Sequence, residues 1–402
     1  MPPEFLTNLL TPSNSKIVLL VLDGLGGLPL KPDGLTELET AHTPNMDQLA
    51  AEGNLGLIVP IGWGITPGSG PAHLALFGYD PFKYDIGRGA LEAAGIGMDL
   101  KMGDVAARGN LCTLDAEGHI IDRRAGRITT QNAIPVIKRL QSIQIPGVEV
   151  HVQHVKEHRF AVMMRGENLN PDMEDTDPQK TGVPPLPVQA HTPSAEYTAG
   201  LFNQWITEAV NILADQKPAN GLTLRGFATH PGLPSYTESY GLKAACVAVY
   251  PMYRGVSRLV GMDIIQFQGE QPGDEFSAAR DIWPDYNFQF IHIKKIDSMG
   301  EDGNFDGKVH VIEEVDEALP VLLKLKPDVL IITGDHSTPS LLRSHSWHPV
   351  PLLLWAPNTI RPDGVKTFGE RACARGSLGT FSALDIMPLA LAHAGRLMKF
   401  GA

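Results

Sequence analysis

Cysteine is scarce in this 402-residue chain. Cys112, Cys246 and Cys373 are odd in number, far apart, and form no Cys-x-x-Cys pair. Such a set excludes a disulfide framework or a zinc ribbon and points to a reducing, cytoplasmic setting. Positive charge is also in deficit: 33 Lys and Arg stand against 45 Asp and Glu, a formal net charge of -12. A general nucleic-acid binder, whose affinity rests on neutralising phosphates, is thereby excluded, whereas a local basic pocket for a small anion is not. No apolar run is long enough to span a bilayer, so no membrane partner is expected. The first fifteen residues, with Pro2, Pro3, Glu4 and Pro12, lack the basic-then-apolar layout of a signal peptide and read as a disordered or loosely docked arm.

Apolar residues are plentiful, at 43%, and the length gives a prior of two domains. Three apolar runs of strand length each lead into an acid. Lys16 to Leu22 stops at Asp23-Gly24, Phe288 to Ile293 passes two lysines to Asp297, and Val329 to Ile332 passes Thr333-Gly334 to Asp335-His336. Continuous apolar runs of this kind suit strands buried on both faces of a parallel sheet, where ligands bind beyond the carboxyl ends. Three carboxylates and a histidine would meet at one edge, and a divalent cation is the usual remedy for their repulsion. Taken singly, Asp-Gly and Gly-Asp also cap ordinary turns.

Thr43-Pro44 signals a helix start. Thr66-Pro67-Gly68-Ser69-Gly70-Pro71 brings Ser69 to the start of another helix, where free N–H groups favour an anion, although Ser69 could equally be a plain N-cap. From about Gly103 the texture changes to short alternating segments, including 148–155 and 158–164, with a Pro-rich loop over 168–193 and an amphipathic helix over 194–214. Continuous apolar strands return at Ala244. The spacing predicts a discontinuous domain of residues 1–102 and 240–402, interrupted by a smaller substrate-binding insert over 103–239. Basic residues gather in and just after that insert: Arg123, Arg124, Arg127, His158, Arg159, Arg165, Arg254 and Arg258. Guanidinium groups there would suit a multiply charged anion. A competing cation motif, Asp302-Gly303-Asn304-Phe305-Asp306-Gly307 with Glu313, matches the spacing of an EF-hand loop, but a strand precedes it and no second loop exists.

Together these segments resemble the alkaline phosphatase superfamily, and within it the archaeal-type, cofactor-independent phosphoglycerate mutases. The likeness runs through Val21-Leu22-Asp23-Gly24, Thr43-Pro44-Asn45-Met46-Asp47, Pro67-Gly68-Ser69, Tyr250-Pro251-Met252-Tyr253-Arg254-Gly255, Thr333 to Pro339 and His345 to Pro351. It implies an α/β fold, an alkaline-phosphatase-like doubly wound sheet domain with an inserted smaller α+β domain. The implied activity is an isomerase of glycolysis and gluconeogenesis, interconverting 3- and 2-phosphoglycerate without 2,3-bisphosphoglycerate. Ser69 would carry the phosphoryl group. Two divalent ions, manganese first, with magnesium, cobalt or zinc as alternatives, would be held by Asp23, Ser69, Asp335 and His336, and by Asp297, residue 301 and His348. At 301 this chain has glutamate where the family has histidine. Arg127, His158, Arg159, Lys243, Arg254 and Arg258 are the candidates for holding the phosphoglycerate, and the insert closing over the metals would exclude water. Another metal-dependent phosphatase or phosphomutase of the superfamily is the alternative, and monomer or homo-oligomer is left undecided.

Overall fold

The computed structural model describes residues 6–84 and 86–401. Its first segment carries strands β1 (Ile17–Leu22) and β2 (Asn54–Val59). A middle segment carries β3 (Val105–Leu114), β4 (Ile120–Asp122), β5 (Glu149–Lys156), β6 (Arg159–Arg165) and β7 (Gly221–Thr229). The last carries β8 (Ala244–Ala248), β9 (Asp263–Ile264), β10 (Phe288–Ile293), β11 (Val329–Thr333), β12 (Val350–Trp355) and β13 (Gly379–Ser382). The chain divides into two compact units, Met1–Tyr84 with Pro234–Ala402, and Asp85–Leu233. The sequence places the insert at 103–239; the compact unit instead begins at 85, because the Arg88–Gly95 helix packs on β3 and β7.

In the first unit eight strands form one sheet in the order β13-β2-β12-β11-β1-β10-β8-β9. β11, β1, β10 and β8 are parallel neighbours, while β12 runs antiparallel to both its partners. Every residue of β1, β10 and β11 is buried, which explains their Ile, Val, Leu and Phe content, interrupted only by Gln289, His292 and Thr333. Each such side chain contributes about 1.5–3 kcal/mol on burial. The Pro44–Glu52 helix begins after Thr43 as expected, but the Thr43 side chain makes no capping bond. Asp316, from the Phe305–Ala318 helix, takes that role and accepts from the backbone N–H of Asn45 (3.1 Å) and Met46 (2.7 Å).

That same helix rules out the EF-hand reading. Asp302 ends one helix, Asn304 caps the next by accepting from Gly307 N–H (2.9 Å), and Glu313 lies two turns inside it, accepting from His42 N–H (2.9 Å). A calcium loop needs extended, turning backbone where this chain is helical. Residues 6–15 of the expected arm are docked, with Leu6 buried and Leu10 bridged to Leu397; residues 1–5 lie outside the described residues.

The second unit is a five-stranded antiparallel sheet, β4-β3-β6-β5 with β7 on the other side of β3. The Thr130–Leu140 and Glu196–Leu213 helices bury Ile137, Leu140, Phe202 and Trp205 in one core with Leu111, Phe160, Val162, Leu222 and Leu224. Among the described residues no helix is long and apolar enough to cross a membrane.

Candidate metal and anion sites

Parallel register brings the strand-end acids together. Val21 of β1 is level with Thr333 of β11 and His292 of β10, so the next residues of all three strands emerge at one edge. Asp23, Asp297, Asp335 and His336 are fully buried there. Their hydrogen bonds settle which imidazole nitrogen carries the proton. Thr338 Oγ1 donates its single proton to Asp297 Oδ1 (2.6 Å), so it accepts from His336 Nδ1–H (2.9 Å). His336 Nε2 is therefore a bare lone pair. It faces Asp23 Oδ1 at 3.3 Å, Asp335 Oδ2 at 3.2 Å and Ser69 Oγ at 3.4 Å. Neither carboxylate oxygen has a hydrogen-bond partner among the described residues. Lone pairs converging in a buried space call for a cation.

A second group repeats the logic. His345 Nδ1–H donates to the Pro67 carbonyl (2.9 Å), which leaves Nε2 bare toward Asp297 Oδ1 (3.7 Å) and Glu301 Oε1 (3.9 Å). The rings of His345 and His336 stack at 3.6 Å. Asp23, Asp335 and His336, and Asp297, His336 and His345, each offer ligand atoms within 4.8 Å of one another. Carboxylate and imidazole donors of this kind fit manganese, magnesium or zinc.

Electrostatics agree with that fit. Burial pushes the Asp23 carboxyl up, but a hydrogen bond from His292 and the Lys294 ammonium outweigh it and hold the group well below the usual carboxylate range. Asp335 moves the other way, raised by burial and by the charge of Asp23. Two adjacent buried carboxylates thus pull each other's proton affinity apart, a repulsion that a cation would relieve. His336 is held neutral by burial. Burial works against the Lys294 charge, yet Asp23 (3.1 Å) and Asp297 (2.5 Å) keep it protonated. Beneath the edge, Tyr253 donates to Asp23 and stacks on His292 at 3.6 Å. His73 donates to the Ser69 carbonyl (2.8 Å) and is pushed down to about 3 by burial.

Ser69 is the first residue of the Ser69–Leu76 helix; the N-cap is Gly68, with no side-chain capping bond. The plain N-cap reading of Ser69 therefore falls away. His348 lies outside both ligand groups. Its Nδ1 pairs with Ser346 Oγ (3.0 Å) and its ring stacks on Trp347. Ser346 bridges to Ser337, His345 Nε2 faces Asp297 and Glu301, and the half-buried His348 instead pairs with Ser346. Glu301 stands at the margin with its side chain 54% exposed.

The basic residues sort differently from their order in the chain. Arg254 donates to the carbonyl of Ala248, the last residue of β8, and so stands at the same carboxyl edge as the acids. Arg258 is one turn further along the same Pro251–Leu259 helix. Lys243 precedes β8, at the opposite, amino edge, and its ammonium lies 4.8 Å over Tyr286; strand direction removes it from the metal edge. Arg127 is exposed with φ 56°. Arg123 and Arg165 are engaged by Asp177 and Asp104.

In the second unit a cluster forms that the sequence only half reveals. Arg108 of β3 is level with Arg225 of β7, and Arg159 of β6 with Asn110 of β3. Arg108 is lowered by burial, with Glu92 opposing and Arg159, Arg88 and Arg225 adding to the shift. Glu92 is raised by burial against the pull of Arg108 and Arg159. His158 falls to about 4, through burial and then Arg159. The buried Nε atoms of Arg108 and Arg159 and Nδ1 of His158 have no hydrogen-bond partner among the described residues. Asp175 (3.3 Å) and Asp177 (3.6 Å) pair with Arg225, and Arg88 is exposed, so Glu92 alone offsets the half-buried Arg108 and Arg159, a pair that suits an anion. Arg108 and Arg225 were missed because cross-strand register is invisible in a sequence, and Arg88 because the packing of its helix on β3 and β7 is equally so. His345 and Lys294 stood within the quoted motifs, but their direction did not.

Comparisons with known proteins bear on both sites. Residues 50–220 match the family model for 2,3-bisphosphoglycerate-independent phosphoglycerate mutase. A probable 2,3-bisphosphoglycerate-independent phosphoglycerate mutase of Thermus thermophilus is 53% identical over 392 residues, 96% of each chain. One of Aquifex aeolicus is 49% identical, covering 99% of this chain and all of its own. Among solved structures, the PH0037 protein of Pyrococcus horikoshii superposes with a TM-score of 0.83 at 32% identity, over 96% of this chain and 99% of its own. The cofactor-independent phosphoglycerate mutase of Thermoplasma acidophilum gives 0.76 at 33%, over 95% and 100%.

Proposed function

This chain belongs to the 2,3-bisphosphoglycerate-independent phosphoglycerate mutase family, and from that premise we propose how its residues interconvert 3- and 2-phosphoglycerate. The enzyme is an isomerase, an intramolecular phosphotransferase. In our reading Ser69 Oγ attacks the phosphoryl group, the bond to the glycerate 3-oxygen breaks, and phospho-Ser69 then passes the group to the neighbouring 2-hydroxyl. Atoms balance without water. The observation that carries this reading is the approach of Ser69 Oγ to the bare His336 Nε2, between two unpartnered carboxylate oxygens.

Asp23, Asp335, His336 and Ser69 would hold one divalent ion, and Asp297, His345 and the nearby Glu301 a second, with manganese the best match to mixed carboxylate and imidazole donors. Bound ions supply a lowered hydroxyl pKa and neutralise phosphoryl oxygens. The free N–H groups at the start of the Ser69 helix favour the same oxygens. Lys294 offsets the charge of Asp23 and Asp297 before substrate arrives. Arg254, at the carboxyl edge of the first unit, is the group we assign to a substrate anion there, and in the second unit Arg108, Arg159 and His158 are the groups we assign to binding a phosphate or carboxylate. Three buried free cysteines support a reducing cytoplasmic setting.

An enolase-coupled assay with 3-phosphoglycerate, without 2,3-bisphosphoglycerate and with free phosphate followed in parallel, tests this reading. Metal-dependent 2-phosphoglycerate formation that disappears in Ser69→Ala is the expected result. Phosphate release in its place would make the protein a hydrolase.

A further inference from the structure

Lys308 is fully buried in the Phe305–Ala318 helix, and a buried ammonium is costly unless all its protons are used. All three are. Its Nζ donates to the carbonyls of Gly24 (2.8 Å), Gly26 (3.0 Å) and Thr338 (2.9 Å). The nearest anion is the Glu37 carboxylate at 4.0 Å, whose same oxygen accepts from Ser340 N–H (2.8 Å) and Oγ–H (2.7 Å). The three carbonyls belong to the loop after β1, which carries Asp23, and the loop after β11, which carries Asp335 and His336.

Those loops touch backbone to backbone. Leu25 and Gly26 bridge to Ser337, and Thr338 N–H donates to the carbonyls of Gly24 (3.3 Å) and Gly26 (3.0 Å). A Cβ at Gly26 would stand 1.9 Å from Ser337 Oγ, and one at Gly24, where φ is +67°, would stand 2.6 Å from Thr338 Oγ1. Thr338 is the node. Its hydroxyl bonds Asp297 and fixes the proton of His336 on Nδ1, while its carbonyl is held by Lys308.

We propose that Lys308 is a positioning residue that clamps the two ligand loops and, through Thr338, sets the His336 tautomer, so that it governs divalent-cation affinity without touching cation or substrate. This rests on the two-metal reading above. Neutral Lys308→Met removes the clamp, and Lys308→Gln retains part of its donors. Val315→Ala, a buried apolar position on the same helix, supplies a destabilised control away from the loops.

Calorimetric titration of the metal-free proteins with Mn2+ separates the cases. The Lys308 variants are expected to bind Mn2+ about 10–100-fold more weakly, the loss typical of removing groups that support metal ligands, while Val315→Ala binds as the unaltered protein does. Their 3-phosphoglycerate turnover should recover with raised Mn2+ while KM stays unchanged. Unaltered Mn2+ affinity in either folded Lys308 variant, or an equal loss in Val315→Ala, would overturn the proposal, as would failure of both Lys308 variants to fold, which would assign the residue to the core. No Mn2+ binding by the unaltered protein would instead sink the metal reading itself.

Discussion

At the carboxyl edge of the large sheet, three buried carboxylates crowd around shared imidazoles; on the small sheet, the half-buried guanidinium groups of Arg108 and Arg159 share one carboxylate, Glu92. Both regions hold like charges that repel, and both leave polar atoms unpartnered among the described residues. They differ in what relieves them. The acids converge on points small enough for an ion, with bare nitrogens among them, whereas the arginines spread over three strands and a helix start and suit a larger, multiply charged anion. The lesson is that unpaired buried charge advertises a ligand, and that its spacing and sign separate cation from substrate.

The strongest test of the acidic side is loss of its nucleophile. Ser69→Ala should cut mutase turnover by about a thousandfold or more, and acid-quenched protein should carry no phosphoserine. Manganese affinity should fall less than in Asp335→Asn, which removes a charged ligand. If Ser69→Ala keeps substantial turnover, the convergence on His336 Nε2 has been misread.

On the cationic side, Arg108→Ala and Arg159→Ala should each raise KM for 3-phosphoglycerate by about ten- to a hundredfold, as expected when a charge-assisted hydrogen bond worth roughly 1.5–3 kcal/mol is lost. Their Mn2+ affinity, read by calorimetry, should not change. A parallel fall in metal binding would break the division between the two regions. Arg127→Ala, at an exposed position, should leave KM where it is.

Much of the acidic edge was legible and little of the basic face. Asp23, Asp297, Asp335 and His336 follow strand ends, and a parallel sheet gathers its strand ends at one edge whatever its exact register. Arg108, Arg225 and Arg159 sit inside antiparallel strands, where partnership depends on a register that shifts near Ala106 and Arg108. Lys243 looked basic and near the right motif, but it lies at the wrong end of its strand. His345 and His348 were equal by composition, and only the fold separates them, turning His345 Nε2 toward Asp297 and His348 Nδ1 toward Ser346. Thr338 and Lys308 gave no sequence signal, since a buried lysine inside a helix is indistinguishable from an exposed one until the fold is known.

That separation gives a finer test. His345→Ala should weaken Mn2+ binding by about tenfold or more, while His348→Ala leaves it unchanged and costs only its contact with Trp347. Reversal of the two would move the second cation position outward along the loop. Glu301→Gln, at a largely exposed side chain, should have the smaller effect of the two acids near that position, below that of Asp297→Asn.

The smallest effect concerns a carboxyl buried behind the acidic edge. Glu370 accepts from Gly27 N–H (2.8 Å) and Thr36 Oγ–H (2.5 Å), yet burial still lifts it from 4.5 to about 7. Between those two values the folded protein holds a proton that the unfolded chain has released. Stability therefore falls as pH rises through that window and levels off above it. Glu370→Gln cannot ionise, so its denaturation midpoint should decline less between pH 4.5 and 7 than that of the unaltered protein. Glu92 sets the contrast: it is also raised by burial, but Arg108 and Arg159 oppose the shift, so Glu92→Gln should flatten the profile less and weaken the anion site instead. Equal profiles for the two variants would mean that the guanidinium groups do not relieve Glu92, and the asymmetry between the two regions would lose its electrostatic basis.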